Sequence, residues 1–301
     1  MYQESKPRIV IPPWLNSARE KAIVLVVTSA LVFGLVYIVP GPFSRVLVQL
    51  GNTAFSAGHD YLGIASYALA RLSNRDLKDS LEECLTCDHQ RQFELAINSC
   101  TNAVTIDPDY AAAYSYRGVA YASLNKYDQA IADFTRDLEL IPIATRSLIN
   151  RGLVYMFQKR YDLAISDFTK SIEINPEEPQ AYMNRGLSHV MLGETKPAVL
   201  DCQKAVALEE RYWNAYVCLG LAYSGEQEWA MALTNFDRAI ALAPSTQRSY
   251  IYCMQGSAYA TFGDLESAVR TLEQGVSLDI AGQNDWCKSA LENAQQGVPA
   301  P

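Results

Sequence analysis

The chain has 301 residues, 49% of them hydrophobic and 19% charged, and a formal net charge of −8. This length allows one large domain with an appendage, and the acidic balance argues against a nucleic-acid-binding surface, which needs a basic stripe. Seven cysteines are too few for a disulfide scaffold in a chain this long, and their odd number leaves at least one thiol free or joined to another chain.

The first apolar element is residues 22–39, which read AIVLVVTSALVFGLVYIV without a charge and follow a polar, proline-containing segment at 1–21. A helix of this length spans roughly 27 Å, close to the ~30 Å hydrocarbon core of a bilayer. We therefore expect a single transmembrane helix. The alternatives are a buried core helix and a cleaved signal peptide, although the apolar run is longer than the roughly 7–15 residues usual in signal peptides.

Basic residues around this segment predict its orientation. Lys6, Arg8, Arg19 and Lys21 precede it, whereas Arg45 is the only lysine or arginine in residues 40–70. Cytoplasmic flanks of membrane spans are enriched in lysine and arginine. We therefore expect a cytoplasmic amino terminus and an extracytoplasmic remainder, on the periplasmic side in a bacterium.

From about residue 77 the chain repeats with a period of 34 residues. The landmark alanines are Ala96, Ala130, Ala164, Ala198 and Ala232, with Ala268 after 36 residues, and glycines lie twelve residues earlier at Gly118, Gly152, Gly186, Gly220 and Gly256. Apolar residues spaced by three and four lie on one stripe of a helix, and a proline stops a helix because it lacks an amide donor. Each unit therefore predicts a pair of helices in contact through small residues.

This pattern resembles the tetratricopeptide repeat. The resemblance implies an all-α, right-handed solenoid of stacked antiparallel helix pairs, with six units at about 77–110, 111–144, 145–178, 179–212, 213–246 and 249–282. Residues 283–296 are expected to form a capping helix with a polar outer side. Residues 44–76 share some repeat offsets, such as Gly51 and Gly63, and predict a degenerate repeat, with an unrelated membrane-proximal helix pair as the alternative.

Three departures from the pattern carry their own predictions. Gln247 and Arg248 form a two-residue insertion, which we expect to lengthen a turn between units. Glu210 and Ile280 replace the closing proline, so we expect the helices before them to continue further. Asp137 stands where other units have a small residue, and we expect a locally adjusted contact there.

The segment Cys84-Leu85-Thr86-Cys87 is the short motif with the most chemical interest. Haem attachment needs a histidine directly after the second cysteine, where Asp88 stands, and a redox dithiol needs a nearby strand pattern. Zinc needs two more ligands, and only His89 and Cys100 are close in sequence. Because Cys84, Cys87 and Cys100 all fall on interior repeat positions, core packing, a disulfide among them, and metal or redox chemistry remain as alternatives.

Arginines and aspartates recur together through three units. Arg117, Arg151 and Arg185 each precede a glycine and lie sixteen residues before Asp133, Asp167 and Asp201. We interpret them as structural ion pairs repeated by unit duplication. A row of anion-binding arginines is the alternative.

The resemblance also implies a concave groove lined by the first helix of each unit. Carried onto this chain, the candidate partner-binding residues are Tyr116, Arg146, Asn150, Met183, Asn184, Asn214, Tyr250 and Met254. Family members that clamp a peptide carboxylate use lysines that are missing here. We therefore expect an apolar groove with amides, suited to an amphipathic helix or an extended segment, and packing between repeats is the alternative role for each residue.

The sequence favours a non-catalytic protein without a cofactor or metal, because it contains no phosphate-binding loop, paired-histidine motif or nucleophile elbow. The favoured function is a membrane-tethered scaffold that binds protein partners, including other membrane proteins, and contacts lipid through residues 22–39. The alternative is an accessory or assembly subunit of a larger membrane complex, in which Ser29, Ala30 and Gly34 pack on other spans. A thiol redox or metal function at Cys84 and Cys87 is the third possibility.

Overall fold

The structure is a computed structural model that describes residues 79–80, 82–84, 92–279, 282 and 284–297. The predicted segments at 1–21, 22–39 and 44–76 lie outside these residues. Within the described part, none of the helices has both the length and the apolar character needed to span a bilayer.

From residue 92 onward the described chain forms a series of α-helices joined by short turns. In chain order they are α1 (Phe93–Ile106), α2 (Ala111–Ser123), α3 (Tyr127–Leu140), α4 (Thr145–Phe157), α5 (Tyr161–Ile174), α6 (Pro179–Met191), α7 (Thr195–Leu208), α8 (Trp213–Gly225), α9 (Trp229–Leu242), α10 (Ser245–Phe262), α11 (Leu265–Leu278) and α12 (Asp285–Gln295). Helices α2–α11 pack as five consecutive pairs, each pair packs on the next, and α12 packs on α10 and α11. The predicted all-α solenoid of stacked helix pairs is confirmed.

Each pair is held together by a close contact between a small and a large residue. In the pair α4–α5, a Cβ atom added to Gly152 would lie 2.7 Å from a ring carbon of Phe168, which is fully buried. Only glycine permits the two helices to approach so closely. We call this contact the glycine–phenylalanine wedge; it recurs at Gly118–Phe134 and Gly220–Phe236. Burial of one such ring contributes roughly 1.5–3 kcal/mol.

The second helix of a pair ends at the same repeat position with or without a proline. Helix α5 ends at Ile174 ahead of Pro176, and α7 ends at Leu208 although Glu210 replaces the proline. The expectation that the helix before Glu210 continues further is therefore wrong. The chain reverses direction after α7 through a backbone hydrogen bond, in which the Tyr212 amide donates to the Glu209 carbonyl at 3.1 Å. The Tyr212 side chain also holds this turn, because it packs on the cluster around Met183.

The insertion of Gln247 and Arg248 lengthens a helix and not a turn. Helix α10 begins at Ser245 and has 18 residues, whereas α8 has 13. The Arg248 Nε donates to the Ala243 carbonyl at 3.1 Å, which ties the extra turn of helix to the end of α9. The prediction of a longer inter-repeat turn is corrected accordingly.

Candidate protein-interaction groove

The first helices α2, α4 and α6 place three groove candidates at one equivalent position, two residues before the helix glycine. Tyr116 and Asn150 are half-buried there, whereas Asn184 is only 4% exposed. The Asn184 Nδ2 has no hydrogen-bond partner among the described residues. Leaving a buried donor unpaired costs about 1–3 kcal/mol, and because Asn184 is buried it contributes to packing between the helices more than to the groove surface.

The remaining candidates divide into surface and core positions. Arg146 and Tyr250 are exposed, and Asn214 and Met254 are half-buried. Met183 is 5% exposed and belongs to a buried cluster with Cys218 and Leu219. Met183 therefore packs between repeats, which is the alternative role stated for the groove residues.

The groove candidates lie among other uncharged residues of the same helices. Six further half-buried positions have the groove offsets: Ser115, Val119, Leu153, Leu187, Leu221 and Ser257. We call these six, together with Tyr116, Arg146, Asn150, Asn184, Asn214, Tyr250 and Met254, the groove strip. The strip contains no carboxylate, and Arg146 is its one formal charge at neutral pH. A segment bound there would meet apolar surface and amide groups, with little charge.

Aromatic side chains close the carboxyl-terminal end of the groove strip. The ring of Tyr250 meets Trp286 of α12 edge-on, with 6.0 Å between the ring centroids, and both side chains are about 40% exposed, at 39% and 41%. Burial raises the pKa of the Tyr250 hydroxyl. Burial also raises the pKa of Tyr212 to about 12, against a smaller lowering by its hydrogen bond with Asn214. Both phenols are therefore neutral at physiological pH.

The recurrent arginines and aspartates form ion pairs within each unit, and each arginine also donates a hydrogen bond to the preceding unit. The Arg151 Nε and Nη2 each donate to Asp167 at 2.8 Å, and Nη1 donates to Thr135 of the preceding unit at 2.9 Å. The same three contacts occur around Arg117 (Asp133 and Thr101) and Arg185 (Asp201 and Thr169). We call these three groups the arginine ladder. Every donor nitrogen of each guanidinium has a protein acceptor, which favours the structural interpretation over an anion-binding row.

Six cysteines are paired, and four of them were not assigned to disulfides from the sequence. Cys84 pairs with Cys100, Cys202 with Cys218, and Cys253 with Cys287, with Cα–Cα distances of 5.0, 5.9 and 5.4 Å. These distances lie within the range for disulfides. The equal separation of sixteen residues in the first two pairs was a signal that sequence reasoning missed. Cys87 lies outside the described residues.

A metal site is not formed by these cysteines in the part of the chain that the structure describes. There, histidine, cysteine and carboxylate side chains do not gather in groups of three that could hold a metal ion. The described residues of the Cys84–Cys87 motif therefore contribute a disulfide partner, Cys84, to Cys100.

The fold defines a helical-repeat solenoid, and comparison with known families identifies the repeat. Residues 111–143, 145–178 and 249–279 each match a model of the tetratricopeptide repeat. The chain therefore contains tetratricopeptide repeats, and proteins built of these repeats bind protein partners.

Solved structures of low sequence identity share the fold. A tetratricopeptide repeat protein from Parabacteroides merdae is 18% identical, with a TM-score of 0.60 over 85% of this chain and 100% of that one. A thermophilic tetratricopeptide-repeat protein of Thermus thermophilus is also 18% identical, with a TM-score of 0.55 over 62% of this chain and 99% of that one. Among curated proteins, a DnaJ homolog subfamily C member 7 homolog of Dictyostelium discoideum is 39% identical over 54 residues, which are 18% of this chain and only 10% of that protein.

Proposed function

We propose that this protein is a membrane-tethered scaffold that binds a partner protein along the groove strip. The observation that carries the proposal is the strip itself, which offers half-buried apolar and amide side chains on five successive first helices and contains no carboxylate. Asn150 and Asn214 are the half-buried amides of the strip that a partner can reach. These features fit a charge-poor amphipathic helix or extended segment, whose backbone carbonyls would accept from the amides.

The tether in this proposal is the apolar segment 22–39, with the repeats on the extracytoplasmic side. Tethering raises the local concentration of the repeats beside other membrane proteins. The three cysteine pairs support the location, because disulfides persist in oxidising compartments and are rare in the cytosol. The excess of lysine and arginine before residue 22 supports the same orientation.

The orientation is tested by protease protection of the intact membrane. We expect protease added to sealed, right-side-out cells or vesicles to digest the repeats and to leave a tag fused before Met1 intact. Detergent permeabilisation should expose the tag as well. Protection of the repeats in sealed membranes would reverse the orientation, and recovery of untagged, soluble repeats would indicate cleavage after the apolar segment.

An accessory or assembly subunit of a larger membrane complex is the second candidate. It is favoured by the small residues Ser29, Ala30 and Gly34 within the apolar segment, since small residues let membrane helices pack closely. The two candidates differ in which part of the chain holds the partner.

Purification from membranes in mild detergent separates the two functions. Asn214→Glu places a carboxylate in the groove strip at the first turn of α8, where the helix dipole tolerates it. We expect it to reduce the co-purified partner about tenfold or more, because burying an unpaired charge against the partner is unfavourable. Ser166→Glu, on an exposed position of α5, is the matched control and should retain the partner.

A variant without residues 1–43 completes this experiment. Partners that remain on the truncated protein and are lost with Asn214→Glu support the scaffold. Membrane proteins that depend on residues 1–43 and ignore Asn214→Glu identify a complex subunit and contradict groove binding. Equal recovery of partners with all variants places the contact elsewhere on the solenoid.

A further inference from the structure

Helix pairs with a glycine–phenylalanine wedge differ from the pair α6–α7. In α6–α7 the glycine is retained as Gly186, but Cys202 occupies the position that is Phe134, Phe168 or Phe236 in the three wedge-bearing units. A Cβ atom at Gly186 would lie 2.5 Å from the Cys202 Sγ and 3.0 Å from the Cys218 Sγ. The two sulfur atoms therefore occupy the space beside the glycine that an aromatic ring fills in the other pairs.

The second cysteine comes from the next unit. Cys218 lies on α8 at the position equivalent to Asn150 and Asn184, and both Cys202 and Cys218 are completely buried. A single cysteine at position 202 is smaller than phenylalanine and would leave part of the space empty. The disulfide fills that space and joins α7 to α8 by a covalent bond.

The same interface also lacks the arginine ladder. Leu219 stands at the position of Arg185, Asn235 at that of Asp201, and Gln203 at that of Thr169. Leu219 is 5% exposed and packs in the cluster with Cys202 and Cys218. The contact between α7 and α8 therefore has neither the phenylalanine nor the arginine–threonine hydrogen bond that links the units at α3–α4 and α5–α6. A side-chain hydrogen bond, from the Gln203 Nε2 to the Tyr223 hydroxyl at 3.0 Å, joins the two helices there.

We propose that the Cys202–Cys218 disulfide replaces both missing contacts, so that the junction between α7 and α8 is the point where the solenoid responds to redox conditions. Oxidation removes two electrons and two protons from the two thiols, forms one S–S bond, and reduces a disulfide-bearing oxidant to its dithiol. Reduction reverses these steps and leaves two small thiols in a space shaped for a ring. Because each unit of a solenoid contacts only its neighbours, the loosening stays at this junction and does not spread to α3–α6.

The proposal is tested by hydrogen exchange and mass spectrometry of the intact protein with and without a phosphine reductant. We expect amides of α7 and α8 to exchange at least tenfold faster after reduction, while those of α3–α6 keep their rates. Alkylation of the unreduced, denatured protein should leave Cys202 and Cys218 unmodified. Alkylation at either residue, or unchanged exchange in α7 and α8 after reduction, would overturn the proposal.

A double variant gives the matched control. Cys202→Phe with Cys218→Asn copies the arrangement of Phe168 and Asn184 one unit earlier, beside the glycine that is already present. We expect this variant to keep slow exchange in α7 and α8 under reducing conditions, whereas Cys202→Ala with Cys218→Ala should exchange fast in both conditions. Continued sensitivity of α7 and α8 to reductant in the Phe/Asn variant would assign the effect to the other disulfides and reject the proposal.

Discussion

Replacing Asp137 by asparagine should stabilise the contact between α3 and α4 at neutral pH, by at most about 3 kcal/mol. Asp137 is 3% exposed, and burial raises its pKa from 3.8 to about 6, although a hydrogen bond from Ser147 lowers it in part. A shift of this size corresponds to roughly 3 kcal/mol of destabilisation once the carboxylate is ionised in both the folded and the unfolded chain. Asparagine keeps the shape and removes the charge, but it adds a buried Nδ2 donor, so about 3 kcal/mol is the upper limit of the gain.

The pH dependence follows from the sign of this shift. Below about pH 4 the carboxyl is protonated in both states, and Asp137 carries no penalty. Between about pH 4 and pH 6 the folded chain holds the proton more tightly than the unfolded chain, so stability falls as the pH rises. Above pH 6 both states are ionised and the full penalty remains.

Hydrogen exchange of α3 and α4 in the intact protein measures the effect. At pH 7.5 we expect up to about a hundredfold more protection in Asp137→Asn than in the wild type, and this advantage should be lost towards pH 4. Comparing the two proteins at each pH cancels the intrinsic exchange rate. Asp137→Ala copies the alanine found at Ala205 and Ala239. It should also increase the amide protection, by a smaller amount because the packing of the longer side chain is lost. A difference that is independent of pH would contradict the role of ionisation.

The sequence predicted the repeat register because small and large residues must alternate where two helices touch. The 34-residue period predicted that the glycines lie where the two helices of a unit touch, and in the structure Gly152 meets Phe168 at such a contact. The ion pairs were predicted for the same reason, since Arg151 and Asp167 recur at one spacing in three units. Contacts that recur along the chain can be recognised in the sequence because the same residue types reappear at the same spacing in several units.

Features that occur once were harder to predict. The pairing of Cys202 with Cys218 was not predicted, because it joins two different units and the two cysteines occupy different repeat positions. Helix α7 ends without its proline because the backbone reversal at Glu209 and the packing of Tyr212 fix the end. The insertion at Gln247 extended α10 because residues after Pro244 continue a helix as readily as a turn.

For the groove residues, the repeat register predicted where each residue lies on its helix but not whether its side chain is exposed. Met183 and Asn184 are neighbours on α6 and both are buried, yet one has apolar neighbours and the other an unpaired amide. Which side chains of a first helix reach solvent depends on how the next unit packs against it. That packing is set by the individual residues at each junction, including the cysteine pair, and not by the repeat pattern.

Replacing Arg151 by leucine should destabilise the α4–α5 pair by about 3–5 kcal/mol, because it leaves Asp167 buried without its partner. The side chains of Arg151 and Asp167 are only 15% and 5% exposed. The hydrogen bond with Asp167 is the main cause that raises the pKa of Arg151, so the arginine stays charged under all physiological conditions. Protection of the amides in α4 and α5 should fall by a factor of a hundred or more.

A unit two repeats further on shows a substitution that should compensate for this loss. Leu219 and Asn235 occupy the positions of the arginine and aspartate in the unit of α8 and α9, which packs without the ion pair. Arg151→Leu with Asp167→Asn copies that arrangement and should recover protection to within about tenfold of the wild type, because a neutral amide is far less costly to bury than an unpaired carboxylate. If the double variant is as unstable as Arg151→Leu alone, the loss comes from the bond to Thr135 and from packing of the arginine stem, and the charge of Asp167 is not its cause.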